Sequence, residues 1–132
     1  MTSDTESLPP LRPDWTPEFE SPHAVIDAQH KALLEQCHRL ADLCDSGAGT
    51  EAVQAFDLAF AQLKSLVREH FDTETALHDE LQGPDPEDLR IEREEFEALA
   101  ADIATTAHFD LVELQRFAAL WCVGHIAESV RR

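Results

Sequence analysis

The chain has 132 residues, with 10 Lys+Arg against 27 Asp+Glu and a formal net charge of -17. That length fits one domain with a short extension, and so acidic a chain lacks the basic surface needed to displace phosphate counterions or to dock on anionic lipid, which argues against nucleic acid and membrane as partners. Hydrophobic residues make up 43%, enough for a core, and four glycines with no tyrosine argue against an all-β fold built on tight turns.

Five prolines, Pro9, Pro10, Pro13, Pro17 and Pro22, fall within residues 1–22. A regular helix cannot accommodate them, so this stretch is read as an extended N-terminal arm. Trp15 and Phe19 are its large apolar groups and predict that part of it packs on the domain at 23–132. The first ten residues have neither a basic nor an apolar leader region, so no signal peptide is expected. Three cysteines, Cys37, Cys44 and Cys122, do not make a disulfide framework. A reducing cytoplasm is the expected compartment.

Four helix-length segments follow. The first is predicted over about 22–44, with Ser21 as N-cap and Pro22 at the first helical position. The second is predicted over about 50–81, closed by Gln82-Gly83-Pro84. The third starts at the cap Asp85, followed by Pro86, Glu87 and Asp88, and runs to about Ala107. The fourth starts at Asp110, with Glu113 at the capping-box spacing, and ends at Arg131 and Arg132, whose charges suit a helix C-terminus. Short connections imply antiparallel neighbours. The fold class is all-α: an antiparallel up-down-up-down four-helix bundle.

Each helix carries a stripe with 4,3,4,3 spacing. The stripes are mostly apolar (Ile26, Leu33 and Leu40; Phe56, Phe60, Leu63 and Val67; Leu89, Phe96 and Ala100; Leu114, Ala118 and Trp121). Five polar residues interrupt them: His30, His70, Glu74, Arg93 and His125. In an antiparallel bundle all five fall at one end of the core. Burying such groups costs several kcal/mol unless they are satisfied. Imidazoles and a carboxylate are good ligands for iron, zinc or manganese, and His70 and Glu74 lie one turn apart on one helix. The alternative is a metal-free polar network in which Arg93 pairs with Glu74. From spacing alone both readings stay open.

The chain resembles the hemerythrin family, in particular bacterial hemerythrin-like domains. The resemblance rests on Trp15, on Ile26-Asp27-Ala28-Gln29-His30-Lys31, on His70-Phe71-Asp72-Thr73-Glu74, and on Trp121 with His125-Ile126. It implies a carboxylate-bridged di-iron site that binds O2, with His30 and His70 on one iron, Glu74 bridging and His125 on the other. The family pattern also has an HxxxH pair on the third helix, where this chain reads Leu89-Arg90-Ile91-Glu92-Arg93, and a bridging aspartate five residues after the last histidine, where it has Val130. One half-site is kept and the other is lost.

The expectation is one metal ion per chain, iron or zinc, or none, held by His30, His70, Glu74 and His125. The partners would be the ion and a small diatomic ligand. The role would be sensing, storage or buffering rather than reversible O2 carriage, because family chemistry draws one electron from each of two irons. The alternative is a metal-free structural or interaction bundle closed by an Arg93–Glu74 ion pair. An enzyme ranks last, since no nucleophile or general acid stands out. His78 is a spare candidate ligand beyond Glu74, better read as a half-exposed histidine near a helix end, and Cys122 is better read as a small buried thiol. His23, His38 and His108 are not expected to be ligands. The acidic residues of the third helix, Glu92 among them, read as a solvated face.

Overall fold

The computed structural model describes residues 8–46, 49–81, 85–105 and 110–131. The elements are a 3-10 turn over Pro17–Phe19 and helices α1 (Ala24–Asp45), α2 (Thr50–Ala76), α3 (His78–Leu81), α4 (Pro86–Ala104) and α5 (Leu111–Arg131). No strand occurs among the described residues, and no helix there is long and apolar enough to cross a membrane. α1 packs on α2 and α5, and α4 packs on the same two, so the four long helices close a ring around one core. The expected positions of Ala107, His108, the Gln82-Gly83-Pro84 stop and the two terminal arginine side chains lie outside the described residues.

Helix starts follow local chemistry. Asp110 accepts the Glu113 N–H at 2.9 Å, the cap its spacing predicts. α4 begins with Asp85 as N-cap and Pro86 in the first turn. α1 departs from expectation and starts at Ala24, after an N-cap at His23. Ser21 does not cap it directly. Its hydroxyl accepts the His23 N–H at 3.1 Å and donates to Asp27 at 2.7 Å, while the Asp27 carboxylate takes the Ser21 N–H at 3.1 Å. Asp27 therefore reaches back from inside the helix and ties the arm to its first turn.

The second predicted helix is broken. Leu77 leaves the helical region with φ -101 and ψ 15, so α2 ends at Ala76 and α3 is a separate turn. Thr73 sits just before the break and returns its hydroxyl to the Glu69 carbonyl at 3.0 Å, a back-bond that competes with regular helix geometry.

The stripes are the core. Leu33, Cys37, Leu40, Phe56, Leu63, Val67, Leu89, Phe96 and Ala118 are buried in it. Aromatic rings run through its centre: Phe56 to Phe60 at 6.1 Å, Phe60 to Phe96 at 6.4 Å, and Phe96 to Trp121 at 4.5 Å between centroids. A fully buried Leu or Phe contributes about 1.5–3 kcal/mol, so this column fixes how the helices face.

One buried polar residue, Gln115, was not visible in the stripes. Its amide donates to the Leu11 carbonyl at 2.6 Å and the Cys37 carbonyl at 3.0 Å, and accepts the Leu11 N–H at 2.8 Å. It treats Leu11 as a neighbouring strand would, pairing both of its backbone groups. Arg116 adds a bond to the Pro9 carbonyl at 2.6 Å, His38 one to the Pro13 carbonyl at 2.7 Å, and Lys31 lies over the Trp15 ring at 5.0 Å. The described arm is thereby tacked across α1 and α5. Gln115→Ala removes the partner of three backbone groups, two of them part-buried on Leu11, and should destabilise the protein by about 1–3 kcal/mol. Urea unfolding measures that loss.

Candidate metal centre

α1 supplies His30, α2 supplies His70 and Glu74 one turn apart, and α5 supplies His125. All four are buried, at 0%, 1%, 4% and 3% exposure respectively. Their reactive atoms converge. His70 Nε2 lies 3.1 Å from His30 Nε2, 3.1 Å from His125 Nε2 and 2.8 Å from Glu74 Oε1. His125 Nε2 lies 3.0 Å from the same Oε1. The three histidines can offer their nitrogens to one ion.

The outer ring nitrogens decide what faces inward. Gln29 donates its amide N–H to Thr73 Oγ1 at 2.8 Å, so its oxygen is the end that meets His70 Nδ1 at 2.9 Å. His70 must then carry its proton on Nδ1 and point an Nε2 lone pair at the cluster. His125 Nδ1 meets the Glu92 carboxylate at 2.7 Å and is protonated for the same reason. His30 Nδ1 has no hydrogen-bond partner. Its ring is held by packing, with centroids 4.6 Å from His70 and 5.8 Å from His125.

Converging nitrogens beside a carboxylate need protons or a cation between them. His125 supplies one proton. Burial works against the His125 imidazolium, but hydrogen bonds to Glu74 and Glu92 outweigh it and push its pKa up to about 9. Burial likewise disfavours the Glu74 carboxylate, yet its hydrogen bond from His125 holds its pKa well below the ordinary carboxylate value. Burial, with two neighbouring imidazoles, lowers His30 to about 3, so its ring is neutral at neutral pH and keeps a single proton, on Nδ1 or on Nε2 toward His70. A proton on His125 satisfies one contact to Glu74 Oε1. It does not satisfy the second contact, from His70, whose proton is committed to Gln29.

A metal ion fits the same place. Ligands at about 2.0–2.1 Å from a tetrahedral ion lie roughly 3.3 Å apart, close to the 3.1 Å that separates His70 Nε2 from the Nε2 atoms of His30 and His125, and these three histidines are the group that can share one ion. Ligating histidines characteristically donate their other N–H to a carboxylate, carbonyl or amide oxygen, as His70 and His125 do here. A cavity of about 220 Å³ reaches Glu74 from outside, lined by Glu20, Ser21, His23, Ile26, Leu81 and Val130 among others.

Several expectations require correction. Arg93 does not pair with Glu74; Oε1 of that carboxylate is engaged by His70 and His125, and Arg93 is half-buried beside Glu97. Glu92 is not on a solvated face but bonded to His125. The reason is periodicity: Leu89 to Phe96 can be spanned as 4+3 through Arg93 or as 3+4 through Glu92, and the pattern does not choose. Other readings stand: Cys122 is a buried thiol, facing Cys37, His78 begins α3 outside the cluster, and His38 holds the arm. Gln29 and Glu92 were missed. Their signal is only that each lies on a helix face adjacent to a site residue.

A family model for the hemerythrin HHE cation binding domain matches residues 21–130. The chain belongs to the hemerythrin family. No curated protein and no solved structure matches it.

The site makes the metal-free protein's stability pH-dependent on both sides. His30 takes up a proton near pH 6.5 when unfolded but only near 3 when folded, so the unfolded chain binds more protons in that window and stability falls as pH drops through it. His125 keeps its proton up to about pH 9 when folded, so its contribution is complete below 6.5 and is lost as pH rises toward 9. Metal-free protein should therefore be most stable near pH 6.5. The acid-side loss, deepened by Glu74 below its ordinary pKa, should be on the order of several kcal/mol. Denaturant unfolding at a series of pH values, with chelator present, checks both limbs.

Proposed function

We propose that this chain is a hemerythrin-like metal-binding protein that holds one ion, iron or zinc, on the Nε2 atoms of His30, His70 and His125 with Glu74 as the fourth group. It acts in sensing, storage or buffering in the cytoplasm, not as a reversible O2 carrier. The observation that carries this reading is the convergence of three buried imidazole nitrogens while Gln29 and Glu92 occupy two of the outer ones. When bound, the ion supplies a Lewis-acidic centre. The chain's own residues set its coordination, exclude bulk water and leave the polar cavity beside Glu74 as the approach for a small diatomic ligand.

The antiparallel bundle belongs to the same reading. Gln29 meets Thr73 while Gln36 meets Ala59 and Gln62, so α2 is traversed backwards as α1 advances. His30 lies beside His125 and Cys37 beside Gln115, which supports the same sense for α1 and α5. Glu92 meets His125 and Phe96 meets Phe117, which supports it for α4 and α5.

A single ion is favoured by what α4 lacks. That helix contains no histidine, and Val130, where the family has a bridging aspartate, is apolar and lines the cavity beside Glu74. The metal-free structural reading retains one observation in its favour: a proton on His125, between Glu74 and Glu92, neutralises much of the site. The double contact at Glu74 Oε1 weighs against it.

Elemental analysis of protein purified without chelator should give one iron or zinc per chain. His70→Ala should lower affinity by at least 100-fold and remove any metal-dependent rise in melting temperature. Uptake between pH 6.5 and 9 should release a proton and strengthen about tenfold per pH unit, since the ion displaces the His125 proton. Ferrous protein in air should show no reversible visible charge-transfer band. Two ions per chain would overturn the proposed stoichiometry, and a folded protein that takes up none would favour the metal-free bundle.

A further inference from the structure

We infer that Glu92 is a positioning residue of this site: its carboxylate holds the His125 ring so that Nε2 meets the ion shared with His30 and His70. The inference rests on the metal-binding reading above. His125 is confined on its faces, stacked on Trp121 at 5.4 Å with the rings 2° from parallel and with Phe71 at 5.0 Å. Packing of flat rings fixes the plane of an imidazole but not which nitrogen points inward. A ring flip would exchange Nδ1 with Cδ2 and Nε2 with Cε1, and so withdraw Nε2 from Glu74. The 2.7 Å bond from Nδ1–H to Glu92 Oε2 selects one orientation and one tautomer.

The neighbouring charges set Glu92 apart from three other acids of α4. Arg90 bridges Glu87 and Glu94, and Arg68 bonds Glu97 at 2.9 Å. Those carboxylates are committed to arginines. Glu92 makes its described hydrogen bond to His125 alone. Its side chain is 29% exposed, in a surface groove lined also by Asp88, Glu95, Trp121 and Glu128. The carboxylate thus keeps partial hydration, and avoids the full cost of burying a charge, while its other end touches a residue that is almost fully buried. An anionic partner on Nδ1 also raises the donor strength of Nε2. The helix that supplies no histidine to the site supplies a carboxylate to its outer layer instead.

Cobalt(II) is the probe, because its visible absorption reports coordination geometry. Wild-type protein should bind one Co2+ per chain with the bands of a low-coordinate site. Glu92→Gln keeps an acceptor for Nδ1–H and should retain those bands, with affinity lowered by a few fold. Glu92→Ala should bind 10–100-fold more weakly with shifted, weaker bands, while circular dichroism shows the helices intact. Glu95→Ala, in the same groove, should match wild type. If Glu92→Ala does not fold, Glu92→Asp, which withdraws the carboxylate by one methylene, carries the same expected loss and band shift. Equal affinity and an identical spectrum in the folded variant would overturn the role of Glu92 and leave the metal reading standing. Failure of wild-type protein to bind Co2+ at the histidines would overturn both.

Discussion

His70 Nε2 stands about 3.1 Å from the Nε2 atoms of both His30 and His125 in a dry core, and such contacts hold only where a proton or a cation lies between the nitrogens. A neutral imidazole offers Nε2 as donor or acceptor according to its tautomer; His70 offers a lone pair, and Glu74 adds an anionic acceptor to the same point. In water such a cluster would spread apart or protonate fully. Here the helix backbones forbid the first, and burial forbids the second, as the fall of the His30 pKa to about 3 shows. The remaining solution is a small, strongly localised charge at the centre, a proton or a metal ion.

That constraint explains why so much of the molecule serves one end of the bundle. The residues that converge come from three helices, and an error of an ångström in any of them would open the cluster. The aromatic column from Phe56 to Trp121 sets the distances between helices. Trp121 belongs to both column and site, since its ring also lies on His125. The arm adds a brace from outside. Gln115 ties Leu11 to α5 and to the Cys37 carbonyl of α1 at once, two turns along α1 from His30. The break at Leu77 follows directly on Glu74, and with Leu81 of α3 and the Glu20–His23 end of the arm it shapes the cavity there.

How much of this was legible beforehand depends on which physical signal was strong. The helices, most of the core stripe and the three inward histidines follow from periodicity, since each lies on a 4,3,4,3 path that also contains Leu33, Leu63 or Ala118. The capping bond of Asp110 follows from chemistry within four residues. The outer layer was not legible. Gln29 and Glu92 act through side chains that cross between helices, and a stripe records only which face is buried. Arg93 illustrates the limit. It lies on one of two equally regular paths from Leu89 to Phe96, and a one-residue difference in facing exchanges a cation for an anion next to His125. Gln115 was hidden for a different reason. A buried amide looks like a defect in a helix stripe unless its partner, here the backbone of a distant arm, is known.

The exchange of Arg93 for Glu92 changes the chemistry of the site more than its geometry. A guanidinium there would have neutralised Glu74 and repelled any ion. A carboxylate does the opposite: it adds negative charge beside His125 and raises the affinity of the centre for whatever cation enters. In the metal-free protein that cation is the His125 proton, held up to about pH 9 by Glu74 and Glu92 together. Proton and metal then compete for the same lone pair. The features that stabilise the empty fold are therefore the ones a metal must displace, and a metal can do so because it satisfies all the converging nitrogens at once. A proton can bridge only one donor–acceptor pair at a time. On the proposed metal-binding reading, that difference in capacity is what lets an ion replace the proton at the three histidines.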